Sequence, residues 1–242
     1  MCGLFNIWMV RVPGFDVVAG AVRLGRWKAW RAVEGQHVVS TLRLAGGDPV
    51  RQDLLERILE ESKPPLPEGT AGLHYLLATP FRYPPTGAGS RFRGWSDPGV
   101  LYGAAQRRTA CAEVGYWRWR FVGESAGLEE LPAAAQTVFR FGAGGRGVDL
   151  EKPPMDEWAA AWTDPVEYGE TQALGRAARE AGAEWIGYRS VRDPEGGRCY
   201  AVLTGRAVKP REPLERETWW LTVRGSGVVW QREGGERFVF SY

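Results

Sequence analysis

Charged and hydroxyl side chains in the middle of the chain are the residues whose types and spacing could do chemistry. Three arginines bracket a loop rich in glycine and proline, and a tyrosine, an acid, a serine and a further arginine follow: Arg82, Arg91, Arg93, Tyr102, Glu113, Ser190 and Arg192. An arginine beside such a loop could clamp a phosphate, although it is more often a surface cation. A glutamate on a helix is usually solvated, and a tyrosine in an apolar strand usually belongs to the core. From the residues alone, both interpretations stay open.

Short elements with apolar faces must position these side chains. Tyr102 lies in the apolar stretch Gly99–Gly103, which predicts a buried strand. Glu113 lies in Thr109–Trp119, where the spacing of apolar residues predicts a helix. Ser190 ends another predicted strand. The candidate residues are therefore expected at the ends or on the faces of rigid elements.

The order of the other predicted elements favours an α+β domain over a regular βαβ series. Asp48 and Pro49 predict the start of a helix that ends before Pro64, and Gly182 is expected to end a second helix, Thr171–Ala181. Strands are predicted at His37–Leu44, Leu73–Leu77, Thr137–Phe141, Trp185–Ser190 and Tyr200–Thr204, and a β-meander at Thr218–Val223, Val228–Gln231 and Phe238–Tyr242.

Two motifs match known signatures but lack the context that their chemistry needs. Gly123–Gly127 has the G-x-S-x-G pattern of a nucleophilic serine, yet no histidine follows Ser125 to take its proton. Gly142–Gly147 has the pattern G-x-G-x-x-G after a predicted strand, but two prolines follow where a dinucleotide-binding helix should begin. We expect a polar loop at the first motif and a flexible surface turn at the second.

Composition excludes several classes of protein. The 242 residues carry 31 Lys and Arg against 29 Asp and Glu, and this net charge of +2 argues against a dedicated nucleic-acid binder. Two histidines and three widely spaced cysteines argue against a metal site and a disulfide framework. No apolar run is long enough to span a bilayer, so we expect a cytoplasmic protein. The 12 tryptophans should sit mainly in a core or line a pocket.

Four segments resemble the RES-domain family, which is named for its Arg, Glu and Ser positions, and they occur in the family's order. Gly89–Arg93 resembles the family's Gly-Gly-Arg-Trp-Asn segment, and Pro98–Ala104 resembles its Pro-Gly…Val-x-Tyr-x-Ala strand. Thr109–Glu113 resembles the helix that carries the glutamate, and Tyr188–Arg192 resembles the segment that carries the serine. An upstream run, Trp30–His37, resembles a branch of the family with an N-terminal extension.

The resemblance covers about Leu73 to Arg206 and implies a fold and an activity. The fold would be like that of the ADP-ribosyltransferases, with mixed and antiparallel sheets and flanking helices. Family members split NAD⁺ at the nicotinamide–ribose bond, by hydrolysis or phosphorolysis, and many are toxins held inactive by a helix-turn-helix antitoxin. NAD⁺ would then be a substrate rather than a cofactor, with inorganic phosphate as an optional co-substrate, and no metal would be needed.

The resemblance also implies roles for the uncharged and acidic candidates. Glu113 would stabilise the positive charge that builds up on the ribose in the transition state, or it would form a hydrogen bond with a ribose hydroxyl. Tyr102 would stack against nicotinamide or ribose. Ser190 would orient a polar edge of the substrate or the loop near the glutamate, and it is not expected to be a nucleophile because no base is identifiable beside it.

For the arginines, the resemblance leaves alternatives. Arg91 is the first candidate for holding the diphosphate of NAD⁺. Phe92 and Arg93 stand where the family usually has Trp and Asn, so Arg93 and Arg82 are alternatives for this contact. Arg82 or Arg192 could bind an incoming phosphate.

We expect three parts in the chain. Residues 1–70 would form an N-terminal extension with one helix packed on the core, and its first part, from Met1 to about Gly25, would be a loose arm or a mis-assigned start. Residues 71–210 would form the catalytic domain, and 211–242 a β-meander that completes it. Two other functions stay open, namely an ADP-ribosyltransferase acting on a protein or nucleotide, and a non-catalytic protein-binding module that uses tryptophans of the tail. Expected partners are NAD⁺, an antitoxin or a second copy of the chain, but neither nucleic acid nor a membrane.

Overall fold

The computed structural model describes residues 13–35, 44–83, 85, 87 and 89–242. Its helices are α1 (Phe15–Ala21), α2 (Pro49–Glu61), α3 (Tyr75–Arg82), α4 (Arg107–Glu124), α5 (Ala159–Trp162) and α6 (Gly169–Glu180). Its strands are β1 (Arg23–Glu34), β2 (Leu101–Ala104), β3 (Glu130–Asp149), β4 (Trp185–Arg189), β5 (Arg198–Val202), β6 (Glu215–Arg224), β7 (Gly227–Arg232) and β8 (Arg237–Phe240). This content confirms the α+β class. Within these ranges, no helix is long and apolar enough to cross a membrane.

All eight strands belong to one sheet, in the order β1-β2-β5-β4-β3-β6-β7-β8. Strand β1 also pairs with β3 along its whole length, from Arg23 opposite Gly147 to Glu34 opposite Gln136. The first five strands in that order therefore close into a ring, and β6 to β8 continue outward from β3. Strands β3 and β4 pair in parallel, while the other ladders are antiparallel, so the expected mixed sheet with flanking helices is confirmed.

Alternate residues of the strands pack into two apolar cores. In β1, Trp30 and Ala32 belong to the core that also contains buried residues of α4 and α6, whereas Ala29 belongs to the core closed by α3. This division follows from the geometry of a strand, in which successive side chains point to opposite faces. Trp219 and Trp230 are fully buried in the first core, which favours packing over a protein-binding role for these two tryptophans of the tail.

Several predicted elements lie where the sequence placed them. Helix α2 begins as expected at Pro49, and the carboxylate of Asp48 caps it by accepting the backbone N–H of Val50 at 2.9 Å. Helix α6 ends two residues before Gly182, whose φ of 72° is the left-handed conformation that glycine adopts easily. The three-stranded meander at the C-terminal end of the chain is also confirmed.

The predicted strand Leu73–Leu77 is wrong, because this segment begins helix α3. The ring Nδ1 of His74 accepts the backbone N–H of Leu76 at 3.2 Å and caps the helix. Leu77 and Phe81, four residues apart, are then buried on one face. A short apolar run fits a buried strand and a buried helix equally well, and only the cap distinguishes them here.

The predicted surface turn at residues 142–147 is also wrong, because these residues continue strand β3. The glycines allow neighbouring groups to approach the backbone closely. A Cβ atom on Gly144 would lie 2.8 Å from the carbonyl oxygen of Gly25, and one on Gly147 would lie 2.2 Å from the ring of Trp185. The glycines therefore serve packing between strands rather than chain reversal.

The loose arm predicted before Gly25 is wrong for the residues that the structure describes there. Helix α1 packs against α6, and Val18 in α1 is fully buried. The described residues up to 70 thus include helices α1 and α2 where one helix was expected, together with β1, which belongs to the sheet itself. The predicted strand His37–Leu44 lies, except for its last residue, outside the described residues.

Two glycines allow a test of this packing with opposite expected signs. A Cβ atom on Gly99 would lie 2.3 Å from the Cα of Phe81, a backbone atom that cannot rotate away. We expect Gly99→Ala to lower the free energy of unfolding by about 1–3 kcal/mol. Gly123 in α4 has no atom within 4 Å of an added Cβ, so Gly123→Ala should raise stability by up to about 1 kcal/mol. Urea denaturation measures both, and equal effects of the two variants would contradict the packing described.

Candidate active site

A cavity of about 470 Å³ lies where strands β1, β2, β4 and β5 meet helix α4. This volume falls within the range of small-molecule sites, about 300–1,000 Å³. Part of its wall is one row of residues across four strands. Trp30 in β1 lies opposite Ala104 in β2, Ala104 opposite Cys199 in β5, and Cys199 opposite Tyr188 in β4, and all four line the cavity. Closure of the strand ring is what completes this wall.

Helix α4 directs the carboxylate of Glu113 into the cavity. Its Oε1 accepts a hydrogen bond from Ser190 Oγ at 2.6 Å and lies 3.8 Å from the Sγ of Cys199, while Oε2 has no hydrogen-bond partner among the described residues. Burial raises the pKa of Glu113 above the usual value, whereas the bond from Ser190 and the charges of Arg91 and Arg192 lower it. The carboxylate is thus fixed through one oxygen and open through the other.

The turn after β4 holds Ser190 in place. The buried hydroxyl of Ser190 accepts the backbone N–H groups of Arg192 and Asp193, at 3.2 and 3.0 Å, and donates its own proton to Glu113. The carboxylate of Asp193 in turn accepts from Thr109 Oγ1, in the first turn of α4, at 2.7 Å. The turn and the helix that carries Glu113 therefore fix each other. Among the described residues, Ser190 has no proton-accepting base beside it other than that carboxylate.

Arg91 is a buried cation that lines the same cavity. Its Nη1 donates to the backbone carbonyls of Trp162 and Asp164, at 2.9 and 3.0 Å, and its guanidinium lies 4.7 Å from the ring centre of Tyr168. No acidic side chain of the described residues lies within 4.0 Å of its nitrogens. Its charge is therefore available to a bound anion.

Tyr102 connects strand β2 to the loop that carries Arg91. Its hydroxyl accepts the backbone N–H of Phe92 at 3.0 Å and lies 2.9 Å from the hydroxyl oxygen of Ser90. Burial raises the pKa of Tyr102, so the phenol stays neutral. The structure thus brings Glu113, Arg91 and Tyr102 to one cavity, with Ser190 in contact with the carboxylate.

The structure places two of the other predicted arginines away from this cavity. Arg93 donates to the backbone carbonyls of Tyr83 and Asp97 and holds its own loop in shape. Arg82 forms an ion pair with Glu60 of α2 at 2.6 Å and lines a second, wider cavity between α2 and α3. Neither is in position to share a ligand with Glu113.

Arg192 does not line the cavity but contacts residues next to it. Its guanidinium lies 3.6 Å from the ring centre of Tyr116 and donates to the hydroxyl of Tyr168 at 3.2 Å and to the carbonyl of Pro165. Its side chain is therefore engaged with the protein, and its effect on the site is to favour the ionised form of Glu113.

Sequence reasoning missed several residues that line the cavity, among them Arg31, Trp117 and Tyr168. Arg31 in β1 donates from Nη1 to the carbonyl oxygen of Tyr102 at 2.9 Å, and burial lowers its pKa to about 10, so it remains charged near neutral pH. The upstream run that resembles a family branch contains Arg31, but no local pattern could connect it to Tyr102, 71 residues away. Trp117 lies within the predicted helix Thr109–Trp119, but the helical period does not show which part of the fold its side chain contacts.

The cavity combines one desolvated carboxylate, two arginines and an aromatic wall. Such a set can bind an anionic ligand with a flat ring and can stabilise positive charge that develops on an atom next to the carboxylate. Desolvating that carboxylate lowers the free energy of unfolding of the protein.

That cost can be measured from the pH dependence of stability. The pKa of Glu113 is higher in the folded state than in the unfolded state, so ionisation lowers the free energy of unfolding once the pH rises above the pKa of the unfolded state. Below about pH 4 the carboxyl is protonated in both states, and this loss of stability disappears. We expect Glu113→Gln to raise the melting temperature by a few degrees at pH 7–8 and to leave it unchanged below pH 4. The exposed Glu129 provides the control, since Glu129→Gln should change neither value. Equal melting temperatures for wild type and Glu113→Gln at pH 8 would contradict a raised pKa of Glu113 in the folded state.

Comparison with known proteins identifies the family of this chain. A sequence model described as "RES domain" matches residues 66–224. The crystal structure of the M. tuberculosis MbcT–MbcA toxin–antitoxin complex is similar over 94% of this chain and 91% of the matched chain, with 10% sequence identity and a TM-score of 0.47. A search of curated proteins found no significant match. The RES match covers well over half of the chain, with Arg91, Tyr102, Glu113 and Ser190 inside the matched region, so this chain belongs to the RES domain family.

Proposed function

We propose that this protein cleaves the bond between nicotinamide and ribose in NAD⁺, by hydrolysis or by phosphorolysis. The observation that carries the proposal is the carboxylate of Glu113, held at 2.6 Å by Ser190 with its second oxygen open to a cavity that also contains the cation Arg91. Membership of the RES domain family agrees with this activity.

The reaction needs negative charge beside the sugar. As the C1′–N1 bond breaks, its electron pair leaves with the neutral nicotinamide and positive charge builds up on C1′ and the ring oxygen. A fixed carboxylate stabilises that charge more than it stabilises the ground state, which is the condition for catalysis. Glu113 takes this role. Water or a phosphate oxygen then forms the new bond to C1′, and when water attacks, it loses a proton.

The other residues bind and orient the substrate. Arg91, with no acid within ion-pair distance among the described residues, binds the diphosphate through charge-assisted hydrogen bonds, worth about 1.5–3 kcal/mol each. The ring of Tyr102 stacks against the nicotinamide or the ribose. Ser190 is a positioning residue, because its hydroxyl holds the carboxylate rather than facing a substrate.

A growth-inhibiting role and an antitoxin partner follow from the same proposal, since many RES proteins are toxins of toxin–antitoxin pairs. Trp117 lines the cavity and is 45% exposed, and Phe121, one turn further along α4, is 52% exposed. Exposed aromatic side chains beside a site are suited to contact with a protein that covers the site.

Expression of the wild type in a host should stop growth as cellular NAD⁺ falls, and expression of Glu113→Gln should not.

The central test is consumption of NAD⁺ by purified protein, with and without inorganic phosphate. We expect nicotinamide with ADP-ribose by hydrolysis, or with a phosphorylated ADP-ribose when phosphate is the acceptor. Glu113→Gln should lower the rate by at least about 10²- to 10³-fold, because the stabilising charge is lost. Glu129→Gln is the matched control and should keep the wild-type rate. Label carried from NAD⁺ into macromolecules would indicate a transferase instead, and absence of any NAD⁺ turnover would refute the proposal.

The role of Ser190 predicts a change in pH profile. Its hydroxyl donates to the carboxylate and lowers the pKa of Glu113, so Ser190→Ala should raise that pKa and move the acid limb of kcat/KM to higher pH. Ser90 bonds to Tyr102 rather than to the carboxylate, so Ser90→Ala should leave the acid limb in place. An acid limb that does not move in Ser190→Ala would show that the titrating group is not Glu113.

A further inference from the structure

The half-buried Tyr168 lines the cavity, but the proposed reaction assigns it no role. It lies between two cations. The guanidinium carbon of Arg91 is 4.7 Å from the centre of its ring, and its hydroxyl accepts a hydrogen bond from Nη2 of Arg192 at 3.2 Å. Both arginines act on Glu113, since the charge of each lowers the pKa of that carboxyl. Tyr168 is therefore in contact with both cations that favour the ionised carboxylate.

The chain just before this tyrosine binds the same two arginines. Arg91 donates from Nη1 to the backbone carbonyls of Trp162 and Asp164, and Arg192 donates to the carbonyl of Pro165. Neither arginine forms an ion pair with an acid of the described residues. Carbonyl oxygens, a phenol hydroxyl and an aromatic face are uncharged acceptors. They hold the two guanidinium groups in place without neutralising them, whereas an acid in the same position would compete with an anionic ligand.

Helix α6 fixes the position of the tyrosine ring. Tyr168 directly precedes α6, and its carbonyl accepts the backbone N–H of Gln172 in the first turn at 2.8 Å. The same helix packs against the loop that carries Arg91. A Cβ atom on Gly175 would lie 2.5 Å from the carbonyl oxygen of Phe92, so a side chain there would prevent the close approach of α6 to this loop. The ring and the guanidinium are thus carried by two parts of the fold that pack tightly against each other.

We propose that Tyr168 is a positioning residue with two separable functions. Its ring holds the guanidinium of Arg91 in the orientation that binds an anionic ligand, and its hydroxyl holds Arg192 beside Glu113. The proposal rests on the proposed function for the identity of the ligand, a diphosphate, but not for the contacts of the two cations. Because the cation–π attraction comes from the ring and the hydrogen bond from the hydroxyl, two substitutions at this position separate the functions.

Other groups around the carboxylate of Glu113 leave room for such a test. Besides the two arginines, side chains from β4, the turn after β4, β5 and the residues after β8 interact with it: Tyr188, Ser190, Cys199 and Tyr242. Arg31 of β1 lines the same cavity. None of these side chains forms a hydrogen bond with the side chain of Tyr168 in the part of the chain that the structure describes. A change in the pKa of Glu113 in a Tyr168 variant therefore reports on the two arginines.

The first measurement is the binding of ADP by calorimetry, because ADP carries a diphosphate but not the bond that the proposed reaction breaks. Tyr168→Leu removes the ring and should weaken ADP binding about threefold to tenfold, the loss expected for one cation–π contact. Tyr168→Phe keeps the ring and should bind ADP within about twofold of the wild type. Tyr75 is a half-exposed tyrosine of α3 that does not line the cavity, so Tyr75→Leu is the matched control and should bind ADP like the wild type.

The second measurement is the pKa of Glu113 by ¹³C NMR of the side-chain carboxyls, with its signal identified by its absence in Glu113→Gln. Tyr168→Phe releases Arg192 from the phenol oxygen, and a cation further from the carboxylate stabilises the ionised form less. The pKa of Glu113 should therefore rise by about 0.3–1 pH unit. Tyr75→Phe should leave it unchanged. If Tyr168 only packed against its neighbours, Tyr168→Phe would not move this pKa.

Each function has an outcome that would overturn it. An ADP affinity of Tyr168→Leu within about twofold of wild type, an equal loss in Tyr168→Phe, or no binding of ADP to the wild type would overturn the role of the ring. An unchanged pKa of Glu113 in Tyr168→Phe would overturn the role of the hydroxyl. Should Tyr168→Leu not fold, Tyr168→Met replaces it with the same expected loss. Neither measurement needs turnover, so a protein that does not consume NAD⁺ but shows both effects would refute the proposed reaction and keep the role of Tyr168.

Discussion

The hydrogen bond from Ser190 to Glu113 is the interaction on which the candidate site depends. A carboxylate in a partly desolvated cavity tends to take up a proton, and then it would offer no charge to a developing cation. The 2.6 Å bond from Ser190, together with the nearby charges of Arg91 and Arg192, opposes that tendency. The bond also leaves the second carboxylate oxygen of Glu113 without a hydrogen-bond partner in the part of the chain that the structure describes. The turn after β4 and the first turn of α4 exist in their present positions because they share this contact and the one between Asp193 and Thr109.

The closed ring of strands is the second constraint. Strand β1 reaches β2 at one pairing and β3 along twelve residues, so the ladder with β3 carries β1 to the edge of the cavity. Without this closure, Trp30 and Arg31 would not meet Tyr102. The family match begins well after β1, so a region upstream of the matched domain forms part of the cavity wall.

Stability and function oppose each other at this cavity. Burial disfavours the charged forms of Glu113 and Arg31, as the directions of their pKa shifts indicate. A fold selected for stability alone would replace these groups with apolar ones of similar size. Burial of apolar side chains elsewhere offsets the cost of burying these charged groups. Trp219 and Trp230 of the meander, both fully buried, are examples. The cavity is thus a costly arrangement supported by a well-packed sheet.

Local patterns were enough to identify elements whose signals are local, and tertiary structure decided the rest. Asp48 before Pro49 and the turns of the meander identify their elements because caps and turns involve neighbouring residues. The ordered segments around Arg91, Tyr102, Glu113 and Ser190 led to the family, which the match over residues 66–224 bears out. Leu73–Leu77 and the glycines of β3 misled because a short apolar run or a glycine stretch has no local feature that distinguishes packing from a turn. The position of Arg31 could not be read from the sequence, since it depends on Arg31 in β1 meeting Tyr102 in β2, 71 residues further along, where the strand ring closes. Contacts between such distant segments leave no periodic signal in a single chain.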